Sequence, residues 1–246
     1  MAGIGTYAVG SIAAGFLFLG SALAADSVAV DYDVSLGGTR VMKANYSAQF
    51  DDQTYTANLS AKTVGVSKVF SKIKLNLSAS GRFTKSGLLP VQYGYFRKKN
   101  DKTKERNLQF NGDGSLKTEG AGYEQPILVA VKKSIMDPLS MLLKISRSNK
   151  PCSGKHRSFD GRDVFDISLT TVSADNGRLN CKLVYQPVAG GDVDDGETEP
   201  VTYNLTLAPT NTAQSYVTIS VSGSSKGVPF SVDARSVSVN GAALSF

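Results

Sequence analysis

Hydrophobic and polar residues alternate with a period of two along most of the chain after position 25, which is typical of half-buried β-strands. In the first such stretch Val28, Val30 and Tyr32 fall on one face, while Asp31 and Asp33 fall on the other. Comparable stretches lie near positions 46, 75, 167, 205 and 230. The whole pattern predicts about a dozen strands.

Turn sequences separate these strands. Gly37-Gly38 is typical of a two-residue hairpin turn, and 111–114 (Asn-Gly-Asp-Gly) repeats that signal. Asp160-Gly161 makes a further turn between hydrophobic stretches. Since tight hairpin turns join antiparallel neighbours, they predict an antiparallel meander.

One segment departs from the alternation and predicts a helix of about ten residues. Asp137 is a good N-cap, and Pro138 suits the first helical position. Leu139 and Leu142 recur at helical spacing, and Arg147 falls in the last turn, where the helix dipole favours cations. Because so short a helix is marginal alone, we expect it to pack on the sheet and to cover one opening of it. A helix lying on a membrane surface is the alternative.

These elements predict an all-β, mainly antiparallel fold with one short helix. We expect a single curved sheet of about a dozen strands that forms an open β-barrel or β-spiral, because a curled sheet leaves few exposed edges. No break in composition marks a second domain. Residues 25–246 are therefore expected to form one domain, with a flexible acidic loop at 190–199.

The first 24 residues carry no charge and predict a secretory signal peptide. An apolar stretch precedes Ala22 and Ala24, which are small residues suited to cleavage after position 24. A membrane anchor is the alternative, but the apolar stretch has about 13 residues where a bilayer span needs about 20. We expect a periplasmic protein with no transmembrane span in the mature chain.

The chain contains two cysteines, Cys152 and Cys181. Export to an oxidising compartment makes a disulfide between them the expected state. A redox pair or a metal site is the alternative, but redox dithiols usually have only two residues between the cysteines, and His156 is the sole histidine. We expect a structural disulfide, no metal and no cofactor.

The net charge of +6 is distributed unevenly. Between positions 62 and 106 twelve lysines and arginines accompany only two carboxylates. In an exported protein such a basic region more plausibly meets an anionic lipid, a glycan or an acidic envelope protein than nucleic acid. A surface that only aids solubility is the alternative. The candidate ligand-binding residues within this region are Tyr93, Tyr95, Arg97, Lys98 and Lys99.

Formal matches to catalytic motifs fail on their context. Residues 223–227 fit the G-x-S-x-G pattern of a hydrolase nucleophile, but strand patterns flank both sides, where that motif requires a following helix. Ser71 and Lys74 fit S-x-x-K, but strand positions three apart point to opposite faces. Asp31 and Asp33 share a face, as paired glycosidase carboxylates do, yet that face is predicted to meet water.

Two alternatives to a binding role stay open. An envelope hydrolase would use His156 as its base, although no nucleophile or orienting carboxylate lies nearby in sequence. The terminal Phe246 indicates an integral outer-membrane β-barrel, whose last strand should alternate apolar residues back from this phenylalanine. On that face, however, Asn240 and Ser238 are polar, and tryptophan is absent.

Several segments together resemble the bacterial periplasmic domain-of-unknown-function family DUF3108. The resemblance is carried by 31–38 (Asp-Tyr-Asp-Val-Ser-Leu-Gly-Gly), 137–140 (Asp-Pro-Leu-Ser), 159–162 (Phe-Asp-Gly-Arg), and Cys181 followed by Tyr185, Ala189 and Gly190. The chain is also similar to envelope-integrity β-spiral proteins. The resemblance implies an exported β-barrel or spiral with one disulfide and no assigned catalytic residues. We expect a non-enzymatic binding or scaffold protein that supports cell-envelope integrity.

Overall fold

The structure is a computed structural model that describes residues 26–244, apart from 66–70, 86, 132–134, 213 and 226. The predicted signal peptide at 1–24 and Phe246 lie outside the described residues. The alternating stretches form thirteen strands in one sheet, and every paired strand runs antiparallel to its neighbour.

Six strands follow one another in the N-terminal half of the chain. They are β1 (Asp26–Leu36), β2 (Thr39–Phe50), β3 (Thr54–Thr63), β4 (Ile73–Thr84), β5 (Gly87–Lys99) and β6 (Lys102–Gln109). Gly37 and Gly38 both have positive φ, as the predicted hairpin turn between β1 and β2 requires.

Two helices connect this half to the remaining strands. They are α1 (Gln125–Ala130) and α2 (Pro138–Ser146). The second half contains β7 (Ser153–Phe159), β8 (Asp163–Asp175), β9 (Arg178–Gly190), the short helix α3 (Gly191–Asp194), β10 (Val201–Pro209), β11 (Tyr216–Ser225), β12 (Val228–Val239) and β13 (Ala242–Leu244). Strand β11 ends at Ser225 and β12 begins at Val228, so strands flank the G-x-S-x-G match on both sides, as the sequence pattern predicted.

Pairing of β1 with β12 joins the two halves of the chain into one continuous sheet. The strand order is β6-β5-β4-β3-β2-β1-β12-β11-β10-β9-β8-β7, with β13 added on β12. The sheet is not closed, since β6 and β7 stand at opposite ends of this order. An ion pair of 2.9 Å between Arg106 Nη1 and Asp160 Oδ2 nevertheless connects β6 with the turn that follows β7. The predicted all-β open curved sheet is confirmed.

The prediction of one helix needs correction, because the described residues contain three. Helix α1 was missed because its apolar residues are rich in β-branched side chains and show no helical spacing over so short a segment. Pro126 stands in its first turn, and Ile127 and Ala130 are buried against the strands β8 and β9. Tertiary packing therefore decides this helix.

The predicted helix forms as α2 and lies against the inner side of the sheet. Asp137 is its N-cap, and the carboxylate accepts a hydrogen bond of 2.9 Å from the backbone N–H of Ser140. Leu139 and Leu143 pack into the main hydrophobic core, whereas Met141 and Ile145 pack into a second cluster that contains the two cysteines. Helix α2 thus links both halves of the sheet.

Candidate functional site

An apolar cavity of about 230 Å³ lies between α2 and the inward-facing side chains of the sheet. Helix α2 contributes Met141, Leu142 and Ile145, and the first strands contribute Tyr32, Ala44 and Tyr46. Leucine, isoleucine and valine residues of β8–β12 form most of the opposite wall. The wall is nearly all hydrocarbon, so water inside it would find few hydrogen-bond partners.

The tyrosine hydroxyls of the wall are already hydrogen-bonded within the protein. The Tyr32 hydroxyl donates to the carbonyl oxygen of Thr218 at 2.8 Å, and the Tyr46 hydroxyl donates to Gln214 Oε1 at 3.3 Å. Burial raises the pKa of both phenols, so both stay neutral at physiological pH. A molecule in the cavity would therefore contact tyrosine hydroxyl groups that already have hydrogen-bond partners within the protein.

The predicted disulfide between Cys152 and Cys181 is present and borders the cavity. Both cysteines are buried, and their Cα atoms lie 5.5 Å apart, a spacing typical of disulfides. They pack with Leu205 and Leu207, which also line the cavity. The Thr171 hydroxyl donates to the carbonyl oxygen of Cys152 at 3.2 Å. The disulfide therefore ties the chain after α2 to the cavity wall.

Of the two candidate ligand-binding tyrosines, neither presents a free ring on an outer surface. Tyr93 is only 1% exposed and belongs to the hydrophobic core. Tyr95 is half-buried, and the guanidinium carbon of Arg106 lies 4.4 Å from its ring centroid. Both rings contribute to packing on the inner face of β5.

The three candidate cations lie on two different faces of β5. Arg97 and Lys99 share the inner face with Tyr93, and Lys98 points to the outer face, as strand alternation requires. Arg97 lies at the end of an inner cross-strand row that contains Tyr32 and Ala44 of the cavity wall. The five predicted residues do not form a single surface.

Arg147 is a half-buried cation at the end of α2 that the sequence analysis assigned only to the helix dipole. It caps the C-terminus of α2, directly after Ser146, which lines the cavity. Its guanidinium carbon lies 4.2 Å from the centroid of the Phe83 ring, and burial lowers its pKa. Its Nη1 is buried and has no hydrogen-bond partner among the described residues. No sequence pattern reveals such an unsatisfied donor.

His156 is the base that the alternative hydrolase hypothesis would use. His156 lies on β7, and its Nε2 is 3.4 Å from the carbonyl oxygen of Ser153. Burial lowers its pKa, which keeps the ring neutral near pH 7. Within the described part of the chain, no carboxylate or hydroxyl side chain is hydrogen-bonded to this ring.

The outward carboxylates Asp31 and Asp33 are held in local contacts. Asp31 accepts hydrogen bonds from Asn45 and Ser236 at 2.9 Å each, and the Asn45 hydrogen bond is the main reason that its pKa is lowered. Asp33 forms an ion pair of 3.2 Å with Arg40. The lowered pKa of Asp31 is the opposite of the raised pKa that a glycosidase general acid needs.

The family profile described as "Protein of unknown function (DUF3108)" matches residues 31–194. The chain belongs to the DUF3108 family. Among solved structures, the β-barrel-like protein of the domain of unknown function DUF1849 from Brucella abortus matches with a TM-score of 0.48 and 10% identity, over 87% of this chain and 97% of that one. No curated protein matches the sequence significantly.

The DUF3108 match includes α2, both cysteines and the strands β2–β9, but it ends before β10. Leu205, Val221 and Val232 complete the cavity wall from strands beyond the match. The cavity of this DUF3108 chain is therefore built partly by the family segment and partly by the C-terminal strands.

The carboxyl group of Asp137 in this DUF3108 chain was recognised from sequence only as a helix cap. The side chain of Asp137 is 0% exposed, and burial raises its pKa to about 6. Its Oδ1 accepts from the Ser140 backbone, while Oδ2 has no partner among the described residues. The Ser140 hydroxyl lies 2.7 Å from the Tyr55 hydroxyl.

The acidic segment of the DUF3108 chain begins with ordered contacts. Residues Gly191–Asp194 form α3 where a loop was predicted. Arg162 forms an ion pair of 2.8 Å with Asp195, and the Tyr185 hydroxyl donates to Asp192 at 2.9 Å. The flexibility predicted for 190–199 stays a prediction.

Helix length and the grouping of metal-ligating side chains bear on membrane spans and metal sites in the described residues. None of the helices in this part of the DUF3108 chain is both long and apolar enough to span a membrane. Among the same residues, no group of three or more His, Cys, Asp or Glu side chains is arranged to hold a metal ion.

Proposed function

We propose that this protein is a non-enzymatic periplasmic binding protein that supports cell-envelope integrity by holding a lipid-like ligand. The observation that carries the proposal is the apolar cavity beneath α2. Its volume of about 230 Å³ is below the range of ~300–1,000 Å³ found for drug-sized ligands. A single hydrocarbon chain suits such a space better than a whole lipid does.

The hydrophobic effect would drive binding, because the wall offers hydrocarbon and satisfied hydroxyl groups. Each methylene moved from water into such a site gains about 0.8 kcal/mol. Several methylenes of one acyl chain are therefore sufficient for measurable affinity. A polar ligand would gain nothing comparable here, since the wall offers it few hydrogen-bond partners.

We infer that Arg147 receives an anionic headgroup. It follows Ser146 of the cavity wall, and its buried Nη1 has no partner among the described residues. A carboxylate or phosphate at this position would satisfy the donor with a charge-assisted hydrogen bond. Arg97 is one of the five candidate ligand-binding residues predicted from the sequence, and it lies three strands from Ala44 on the inner face. It is the alternative cation that could contact the headgroup.

Export is supported by the disulfide, since structural disulfides persist in oxidising compartments. The periplasm is the compartment that the predicted signal peptide indicates. Recovery of the mature protein in the periplasmic fraction without detergent checks this location, and recovery only with detergent-extracted membranes contradicts it.

Binding of the fluorescent fatty acid cis-parinaric acid tests the cavity. Ala44 lines the cavity, so Ala44→Leu should fill part of it and weaken binding about tenfold. Ala29 lies on the adjacent strand and faces outward, so Ala29→Leu is the matched control and should bind like the wild type. Absence of saturable binding by the wild type, or equal binding by both variants, would refute the proposal.

A second arm of the same experiment tests the headgroup. Arg147→Gln should weaken binding of the acid about tenfold and leave binding of its methyl ester unchanged, because the ester lacks the charge that Arg147 receives. Arg97→Gln should change neither affinity. A loss of acid binding in Arg97→Gln but not in Arg147→Gln would place the headgroup on β5 instead.

A further inference from the structure

Four lysines line up across neighbouring strands on the outer face of the sheet. Lys43 of β2 is directly opposite Lys62 of β3, Lys62 is opposite Lys74 of β4, and Lys74 is opposite Lys98 of β5. Neighbouring strands lie about 4.8 Å apart, so these four residues form a continuous row of positive charge. We call them the lysine row.

The lysine row is unfavourable for the isolated protein. Like charges directly opposite each other on a sheet repel, and no lysine of the row forms an ion pair with any residue that the structure describes. The nearest carboxylate along the row is Asp33, opposite Lys43, and it pairs with Arg40 and Arg235.

Protection of a sheet edge does not explain the row. Lysines on edge strands prevent aggregation, but β2, β3, β4 and β5 are all interior strands. Glu105 of the edge strand β6 and Asp31 of β1 flank the row only diagonally. Asp33 and Asp31 are close enough to offset part of the charge of Lys43, whereas Lys62 and Lys74 have only lysines directly opposite them. An anionic ligand would reduce the repulsion that remains along the row.

A trough of small polar side chains adjoins the lysine row. It has a volume of about 460 Å³, and a second hollow of about 540 Å³ continues it over Lys43, Lys62 and Lys74. The two share three lining residues, so they form one surface depression. The polar side chains that matter most in it are Asn45, Asn58, Ser60, Asn76, Ser78 and Asn107.

Gly94 keeps the floor of this trough open. A Cβ atom at this position would lie 2.8 Å from Ser78 Oγ and 3.6 Å from Asn107 Oδ1. Phe96, two positions further along β5, places a half-buried aromatic ring in the lining. The trough therefore combines amides, hydroxyls, the aromatic residues Tyr95 and Phe96, the acidic residue Glu105 and an adjacent row of cations.

We propose that the trough and the lysine row together bind an acidic polysaccharide. Amide and hydroxyl groups donate and accept hydrogen bonds, as sugar hydroxyls require, and the lysines would contact the carboxylate or phosphate groups. Protein interfaces are instead depleted in lysine and serine and enriched in large aromatic residues and arginine at their centre. The trough also lacks the broad apolar surface that insertion into a membrane requires.

Calorimetric titration with polygalacturonate tests this site. The triple variant Lys62→Gln, Lys74→Gln, Lys98→Gln should weaken binding roughly tenfold or more. Its matched control replaces Lys117, Lys144 and Lys150, which are exposed elsewhere, by glutamine and should bind like the wild type. Far-UV circular dichroism checks that both variants fold.

Two comparisons separate sugar recognition from charge attraction. The wild type should bind polygalacturonate about tenfold tighter than polyglutamate of similar charge. Asn58→Ala with Asn76→Ala should reduce polygalacturonate binding about tenfold and leave polyglutamate binding unchanged. Equal affinity for both polymers, equal loss in the control triple variant, or no effect of the asparagine variant would each overturn the proposal.

Discussion

The buried carboxyl group of Asp137 makes stability depend on pH at the scale of one residue. Burial raises its pKa from the ordinary value near 3.8 to about 6. Between these two values the folded protein binds a proton that the unfolded chain does not bind. The contribution of protonated Asp137 to the free energy of unfolding is therefore complete below about pH 4 and is lost as the pH rises through about 6.

Asp137→Asn should stabilise the protein at neutral pH, because asparagine keeps the capping oxygen without the buried charge. A shift of about two pKa units corresponds to about 3 kcal/mol, so we expect a gain of about 1–3 kcal/mol near pH 7.5 and no gain near pH 4. Urea unfolding followed by circular dichroism at both pH values measures this difference.

An exposed carboxylate provides the control for Asp137. Hydrogen bonds from Thr54 and Gln53 lower the pKa of Asp51, which favours its ionised form. Its contribution is present above about pH 4 and is lost as the pH falls, so Asp51→Asn should destabilise the protein at neutral pH. A stabilising Asp51→Asn, or an Asp137→Asn effect that is the same at both pH values, would contradict the assignment.

At the scale of elements, repulsion within the lysine row on the strands β2–β5 lowers the stability of the sheet. Lys74 has a lysine directly opposite it on both neighbouring strands. Removing such a contact is worth about 0.2–1 kcal/mol. Lys74→Gln should therefore raise the free energy of unfolding by a few tenths of a kcal/mol, and added salt should reduce the gain.

Chemical denaturation at low and high ionic strength measures the Lys74→Gln effect. Lys117→Gln serves as the control, because Lys117 is exposed and lies outside the paired strands. A destabilising Lys74→Gln, or a gain that does not depend on salt, would show that repulsion along the row is negligible.

The helices show which elements local sequence can specify. Helix α2 was predicted because Asp137 and Pro138 act within its own first turn. Helix α1 was missed because its apolar residues are explained only by burial against β8 and β9. Capping is a local interaction, whereas packing depends on partners distant in sequence.

At the scale of the whole molecule, the disulfide connects the cavity wall to global stability. The bond closes a loop with a sequence separation of 29. Removal of such a bond costs about 3–4 kcal/mol through the entropy of the unfolded chain. The variant Cys152→Ala with Cys181→Ala should lose about this much in urea unfolding.

Binding provides an independent measurement on the cysteine variant. Because the disulfide packs against Leu205 and Leu207 of the cavity, parinaric acid should bind more weakly to the folded variant. The polysaccharide trough lies on the outer face, so polygalacturonate binding should be unchanged. Loss of both activities in a folded variant would contradict the separation of the two sites.

The amino-acid sequence by itself determined the period-two strands, the hairpin turns, the capped helix and the partnership of Cys152 with Cys181, because these depend on neighbouring residues or on a single pairing choice. Only the tertiary structure decided the register that aligns four lysines, the division of Arg97 and Lys98 between two faces, and the burial of Asp137 and Arg147. Register and burial arise from strands far apart in the chain, and no local pattern specifies which residues they bring together.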